Sequence, residues 1–128
     1  HTPDEVRRAI AEIPADVDVI VILPDVTTNE FVVEFAAAAM ARRVPFSTAS
    51  IPETDNVLLS YGVEFYPAGE QVARLAAQVL RGTSPGDLPV ESLDFTLMVN
   101  LETAATLGIE VPTAVLSQAD TIIRPATQ

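Results

Sequence analysis

From Val17 to Leu23 the chain reads VDVIVIL, an almost unbroken apolar and β-branched run. That pattern predicts a strand covered on both faces, as in a parallel sheet. Ahead of it, Thr2-Pro3-Asp4-Glu5 forms a capping box with proline at the first helical position. Val6, Ala9, Ile10 and Ile13 then recur at helical spacing, so a first helix is predicted to about Pro14. Pro24 and Asp25 break the strand, and Thr27-Thr28-Asn29-Glu30 offers a second cap for a helix reaching about Arg43. The small Ala36 to Ala39 run lets that helix lie close to a sheet. Val44 to Ala49 is a predicted second strand and Leu59 to Val63 a third. Between them Ser50-Ile51-Pro52-Glu53 reads as a third cap, opening a short helix from Glu53 to Leu58.

In the second half, Pro67 opens the most amphipathic segment: Val72, Leu75, Ala76, Val79 and Leu80 share one face, with Glu70, Gln71, Arg74, Gln78 and Arg81 opposite. Gly82 ends it, and Thr83 to Glu91, rich in proline and glycine, reads as a surface loop. Phe95 to Val99 is a fourth predicted strand, Asn100 caps a helix through Leu107, and Gly108 terminates it. Pro112 opens a last helix toward Ala119, and residues 121–128 are expected to form a frayed tail. This alternation predicts a single α/β domain over residues 1–128, three layers with a parallel sheet flanked by helices. Carboxyl ends of parallel strands are where ligands collect. Four strands pointing one way would gather Asp25, Ser50 and Glu64 on one rim.

Composition narrows the functions this rim can have. The net charge is −11, with seven arginines and no lysine. The arginines are scattered, so nucleic acid is not an expected partner, because phosphate recognition needs clustered cations. There is no cysteine, which removes disulfides, thiolate metal sites and cysteine nucleophiles. The single histidine is residue 1, no lysine is present for a Schiff base, and no glycine-rich phosphate loop follows the first strand. The carboxylates Asp16, Asp18, Asp25, Glu53 and Asp55 fall on different predicted elements, and their spacing argues for no metal site. The expectation is a protein without catalytic residues, cofactor or metal. No apolar run approaches the ~20 residues of a membrane-spanning helix.

Binding is better supported. Helix starts at Thr27, Ser50 and Tyr66-Pro67 directly follow predicted strand ends, and helix starts present unpaired N–H groups suited to polar or anionic ligand atoms. Asp25 and Glu64 lie beside them as candidate partners for an ammonium group. Tyr61, Phe65 and Tyr66 are candidates for apolar or stacking contact.

Several segments together resemble a known family. They are LPD at Leu23 to Asp25, AAAAMARRVPF at Ala36 to Phe46, SYGVEFYPAGEQVARLAAQVLRGTSPGDLPVE at Ser60 to Glu91, and TLMVNLETAATLGIEVPTAVLSQAD at Thr96 to Asp120. The chain is similar to the carboxyl-terminal lobe of ABC-transporter substrate-binding proteins of the tryptophan/phenylalanine-binder type, which have the type I periplasmic-binding-protein fold. The resemblance implies a two-lobe protein clamping a small organic solute, an amino acid among the candidates, with this chain as the second lobe and its closing segment. The partners it implies are the solute, the first lobe of the same protein and an ABC permease. It also implies an extracytoplasmic location, although no signal segment is visible in this chain. A lobe without its partner is further expected to self-associate through its uncovered face.

By residue, the resemblance puts Asp25, Thr27 and Thr28 at the first cleft-facing loop and Ser50 at the second, where many relatives continue Ser-Asp and this chain continues with Ile51. It puts Glu64 at an acid before the long helix, often Asp in relatives, flanked by Tyr61 and Tyr66. A ligand-sensing domain of a signalling or regulatory protein is the alternative reading. A receiver-like domain is disfavoured, since the acidic cluster and lysine of phospho-aspartate chemistry are absent.

Overall fold

The computed structural model describes residues 2–51 and 54–125. Helix α1 (Pro3–Ala11) starts on the predicted capping box: Thr2 Oγ1 accepts from the Glu5 N–H, and the Glu5 carboxylate accepts from the Thr2 N–H. Strand β1 (Ile20–Ile22) follows, then helices α2 (Val26–Asn29) and α3 (Val32–Ala41) where one helix was expected. The cap is Asp25 rather than Thr27, because the Asp25 carboxylate accepts from both the Thr27 and Thr28 N–H groups, at 3.0 and 3.1 Å. The break falls at Glu30–Phe31, where the Phe31 N–H bonds back to Thr28 O. Phe31 leaves the helical line there and buries itself with Val6 and Ile10.

Strands β2 (Phe46–Thr48) and β3 (Leu59–Val63) come next, followed by the long helix α4 (Phe65–Leu80) and a 3₁₀ turn at Pro85–Asp87. Strand β4 (Phe95–Asn100), helix α5 (Leu101–Leu107), helix α6 (Thr113–Leu116) and strand β5 (Thr121–Ile123) complete the order. Three expectations are corrected here. Residues 54–58 form a turn and not a helix, while Glu53 lies outside the described residues. The last helix is one turn long, and its successor β5 occupies part of the expected frayed tail, paired to β4 from Met98↔Thr121 to Asn100↔Ile123. The sheet is mixed, not wholly parallel.

The sheet order is β1-β2-β3-β4-β5, with β1, β2 and β3 parallel, β4 antiparallel to β3, and β5 parallel to β4. The reversal has a visible cause. Helix α4 runs back from the end of β3, and the chain then returns along its flank, where Glu91 accepts hydrogen bonds from Gln71 Nε2 (2.7 Å) and from the Arg74 guanidinium. This strap carries the chain back to the end of β3, so that Phe95 pairs opposite Val63 and the strand runs down to Val99 opposite Leu59. A helix alone, without the strap, would have delivered the parallel strand that alternation suggests.

The two buried apolar clusters lie on one face of the sheet. Ile22, Val32, Ala36, Ala39, Phe46 and Val57 form one buried cluster. Val6, Ile10 and Phe31 form a second, with Phe35 touching both. Helix α3 is therefore sandwiched between the sheet and α1, and Ala36 and Ala39, fully buried, permit the close approach. A buried side chain such as Phe46 contributes about 1.5–3 kcal/mol. Arg42 at the end of α3 donates to the Ile10 and Ala11 carbonyls, satisfying orphan acceptors at the end of α1.

The opposite face is covered only in part. Residues from Ile109 to Val115 lie over Leu59 and Val99 around a hollow of about 170 Å³. Nearer the carboxyl ends of β1–β3, Val21 is 56% exposed and Leu23 71%, with Tyr61 and Phe95 exposed beside them. Strand β1 is thus covered on one face, not two. Helix α4 also departs from its pattern. Its Ala68, Gln71, Leu75 and Gln78 are half-buried, whereas Val72, Val79 and Leu80 of the apolar stripe are exposed, Leu80 by 87%. Among the described residues, no helix is long and apolar enough to cross a membrane.

At the other edge of the sheet, Asn100 closes β4 and opens α5. Its Oδ1 accepts from the Glu102 and Thr103 N–H groups at 2.9 and 3.0 Å, and its Nδ2 donates to Asp55 O at 2.6 Å. Thr103 Oγ1 donates to the same carbonyl. Asn100 is almost wholly buried. Asn100→Ala is expected to lose about 1–3 kcal/mol, a cap plus one of the two hydrogen bonds to the Asp55 carbonyl. Asn100→Ser, which keeps a neutral acceptor for the cap, is expected to lose less; urea unfolding midpoints check both.

A second expectation concerns pH. The hydrogen bond from Arg74, then that from Gln71, hold the Glu91 carboxyl below the usual glutamate range. A depressed folded-state value stabilises the fold above the ordinary range, and that stability is lost as pH falls through the depressed value. Unfolding midpoints followed from neutral to acid pH are expected to fall less steeply for Glu91→Gln than for the natural chain.

Candidate functional site

Because β1, β2 and β3 are parallel, their carboxyl ends lie along one rim, and the strap adds the start of β4 to it. The rim's contour depends on Gly62. A β-carbon at this position would lie 2.4 Å from Ala49 O and 2.7 Å from Ser50 Cα, well inside contact distance. The end of β2 therefore folds directly onto the β3 backbone. Beneath it, the Thr48 hydroxyl donates to Ser50 O and lies 3.0 Å from the Ser60 hydroxyl, all three residues being buried. Satisfied buried hydroxyls hold their neighbours in one geometry, and here they fix Ser50.

Two hollows open at the rim and share Ser50 and Phe65 as walls. One, of about 360 Å³, is lined further by Asn29, Val32, Val33, Ile51 and Thr54. The other, of about 290 Å³, is completed by Pro24, Ala49, Val63, Leu93 and Phe95, and is almost entirely apolar. Phe65, 72% exposed, stands between them. Both volumes are in or near the range of small-molecule sites. Asn29 lines the first hollow, but its Oδ1 is shut off from solvent and has no hydrogen-bond partner, an arrangement that costs about 1–3 kcal/mol. A third hollow of about 240 Å³ lies beside α4, between Glu64, Pro67, Gln71, Leu93, Asp94 and Thr96.

The residues singled out from the sequence are distributed unevenly over this rim. Ser50 is central. Asp25 is at the rim, but one carboxylate oxygen serves the α2 cap, and Asp25, Thr27 and Thr28 line neither principal hollow. Glu64 is the N-cap residue of α4, makes no side-chain cap, and lines the third hollow. Tyr61 is set back on the open face of the sheet, stacked on Phe95 with ring centroids 5.3 Å apart. Tyr66 is exposed in the first turn of α4 and lines none of the three.

The aromatic walls are instead Phe65 and Phe95, and the polar group sequence reasoning passed over is Asn29. Phe95 reaches the rim only because β4 is antiparallel, which no local pattern announces. Asn29 was read as part of the Thr27-Thr28-Asn29-Glu30 cap at a helix start; the cap is Asp25, and Asn29 ends α2 instead.

A family model for ABC transporter substrate binding proteins matches residues 1–123. The chain belongs to that family. A curated relative, the tyrosine-binding protein of Clostridioides difficile (strain R20291), is 26% identical over 111 residues, covering 85% of this chain and 32% of its own length. A solved structure of a conserved domain protein from Vibrio cholerae superposes with a TM-score of 0.76 at 29% identity, over 93% of this chain and 41% of that one. The structure of an ABC domain in complex with L-Trp from Streptococcus pneumonia superposes with a TM-score of 0.81 at 24% identity, over 94% and 42%. The chain therefore spans about a third of the curated relative and about two fifths of the solved chains. The fold expectation, a periplasmic-binding-protein-like α/β architecture, holds, with the mixed sheet as its amendment.

Gly62→Ala tests whether the rim depends on the close approach of β2 to β3. The substitution is expected to destabilise the chain by about 1–3 kcal/mol, as overpacking does. Amide exchange is expected to rise first at Ala49–Ser50, and would be followed by NMR.

Proposed function

We propose that this chain is one lobe of the solute-binding component of an ABC-type uptake system, holding a small organic solute without catalysing a reaction on it. The observation that carries this reading is the pair of hollows joined at Ser50 and Phe65, in a chain of the substrate-binding family. An apolar recess beside a recess with polar groups suits a solute with a bulky apolar end and a polar end. Phe65 and Phe95 suit an aromatic end in particular, through ring contacts. With a tyrosine-binding relative, the favoured solute is an aromatic amino acid.

The rim is open to solvent, and the relatives are two to three times longer. A second lobe closing over the rim is therefore part of the proposal, since high affinity needs the ligand buried from both sides. An extracytoplasmic location and an ABC permease as partner belong to the same reading, and rest on the family. The uncovered apolar face around Val21, Leu23 and Tyr61 is where further protein packs, whether more of the same protein or, for the isolated chain, a second copy.

Thermal-shift measurements on the intact two-lobe protein against the amino acids test this. The bound solute at 100-fold over Kd is expected to add about 2.7 kcal/mol, and a flat response to every amino acid would overturn the aromatic reading. Phe95→Ala is expected to weaken binding about tenfold, from the loss of ~1.5 kcal/mol of ring contact, as isothermal titration calorimetry would register.

A further inference from the structure

Leu93 is a wall of two hollows at once. It lines the apolar one beside Phe65 and Phe95, and the one along α4 beside Pro67 and Gln71. It is 39% exposed and stands two residues before the first paired position of β4, Phe95 opposite Val63. From Arg81 to Phe95 no residue is buried, and only Leu88 and Glu91 are half-buried. The strap is thus not anchored by an apolar side chain sunk into the core. Its attachment to α4 is polar instead. Gln71 Nε2 donates to Glu91 Oε2 at 2.7 Å and to Ser92 O at 3.3 Å, and the Arg74 guanidinium donates to the same carboxylate oxygen. Bonds to a charged group of this kind are stronger and more directional than neutral ones. Between this clasp and the β4 ladder lie only Leu93 and Asp94. So short a tether has little slack, and its two fixed ends set where Leu93 stands. Without the clasp, the upstream end of the tether would run straight into the exposed, proline- and glycine-rich strap.

We propose that Glu91 is a positioning residue for ligand recognition: through its hydrogen bonds to Gln71 and Arg74 it fixes Leu93 as a wall of the apolar hollow, and so sets the affinity for the ligand's ring. This rests on the aromatic amino-acid reading above. Glu91 itself lines none of the three hollows at the rim, so its effect on the ligand travels along the strap. Thr83 to Glu91, a surface loop by composition, thereby acquires a task in recognition.

The test is isothermal titration calorimetry on the intact two-lobe protein with L-phenylalanine, L-tyrosine and L-tryptophan, well below the unfolding midpoint of each variant. Glu91→Ala is expected to weaken the bound amino acid about fivefold, a usual size for such indirect couplings. Gln71→Ala, which opens the same clasp from the helix side, is expected to do the same. Leu93→Ala is expected to weaken binding too. In that background Glu91→Ala is expected to add less than about twofold, because the wall it positions is gone. A residue that only stabilised the fold would lower the unfolding midpoint and leave Kd unchanged at these temperatures. An unchanged Kd in Glu91→Ala, or full multiplication of its effect with that of Leu93→Ala, overturns the positioning role while the amino-acid reading stands. Failure of the natural protein to bind any of the three amino acids overturns both.

Discussion

The seating of the β2 carboxyl end on the bare backbone of Gly62 is the constraint from which the rest of the rim follows. It brings Ala49 O to within 2.4 Å of where a β-carbon would stand, and it lets the Thr48 and Ser60 hydroxyls and the Ser50 carbonyl share one buried network. With Ser50 so placed, the β2–β3 connection becomes a wall common to both hollows. Phe65, two residues past the end of β3, then has to stand between them. A larger residue at position 62 would push that connection outward and merge the two spaces into an open slope.

A second constraint acts at the far edge. Asn100, Thr103 and the Asp55 carbonyl tie the start of α5 to the turn before β3, while Glu91 ties the returning strap to α4. Together they hold β4 at both ends. Its antiparallel course is what lifts Phe95 and Leu93 to the rim, so the apolar hollow depends on an ion pair and a buried amide remote from it. Arg42 and Arg43 serve the helical layer in the same manner, through the carbonyls of Ile10, Ala11 and Thr106.

Energetically the molecule is lopsided. One face of the sheet is packed against α3, and through it against α1, while the other leaves valines, a leucine and two aromatic rings in contact with water. Natural surfaces of this extent are commonly covered by other protein. An apolar strand such as β1, half covered here, fits a larger assembly in which the sheet continues or a further layer is added. On α4, Val72, Val79 and Leu80 stay exposed while Leu75 is half-buried and Gln71 bonds the strap at Glu91.

Much of the local structure was legible without coordinates, because it rests on contacts a few residues apart. The Thr2 capping box, the Asn100 cap and the left-handed Gly82 and Gly108 at helix ends are of this kind, and so is the order of strands and long helices. Family resemblance, carried by long runs such as Ser60 to Glu91, also lies in the linear text. The direction of β4, the pairing of β5 and the identity of the rim residues do not. Each depends on contacts between residues about twenty or more apart, such as Glu91 with Gln71, Thr121 with Met98, or Phe95 with Val63. Hydrophobic period reports which residues seek burial; it carries no record of which partner arrives, or from which side. Hence Ser50 could be named from its place after a strand, whereas Phe95 and Asn29 became site residues only once the chain had closed around them.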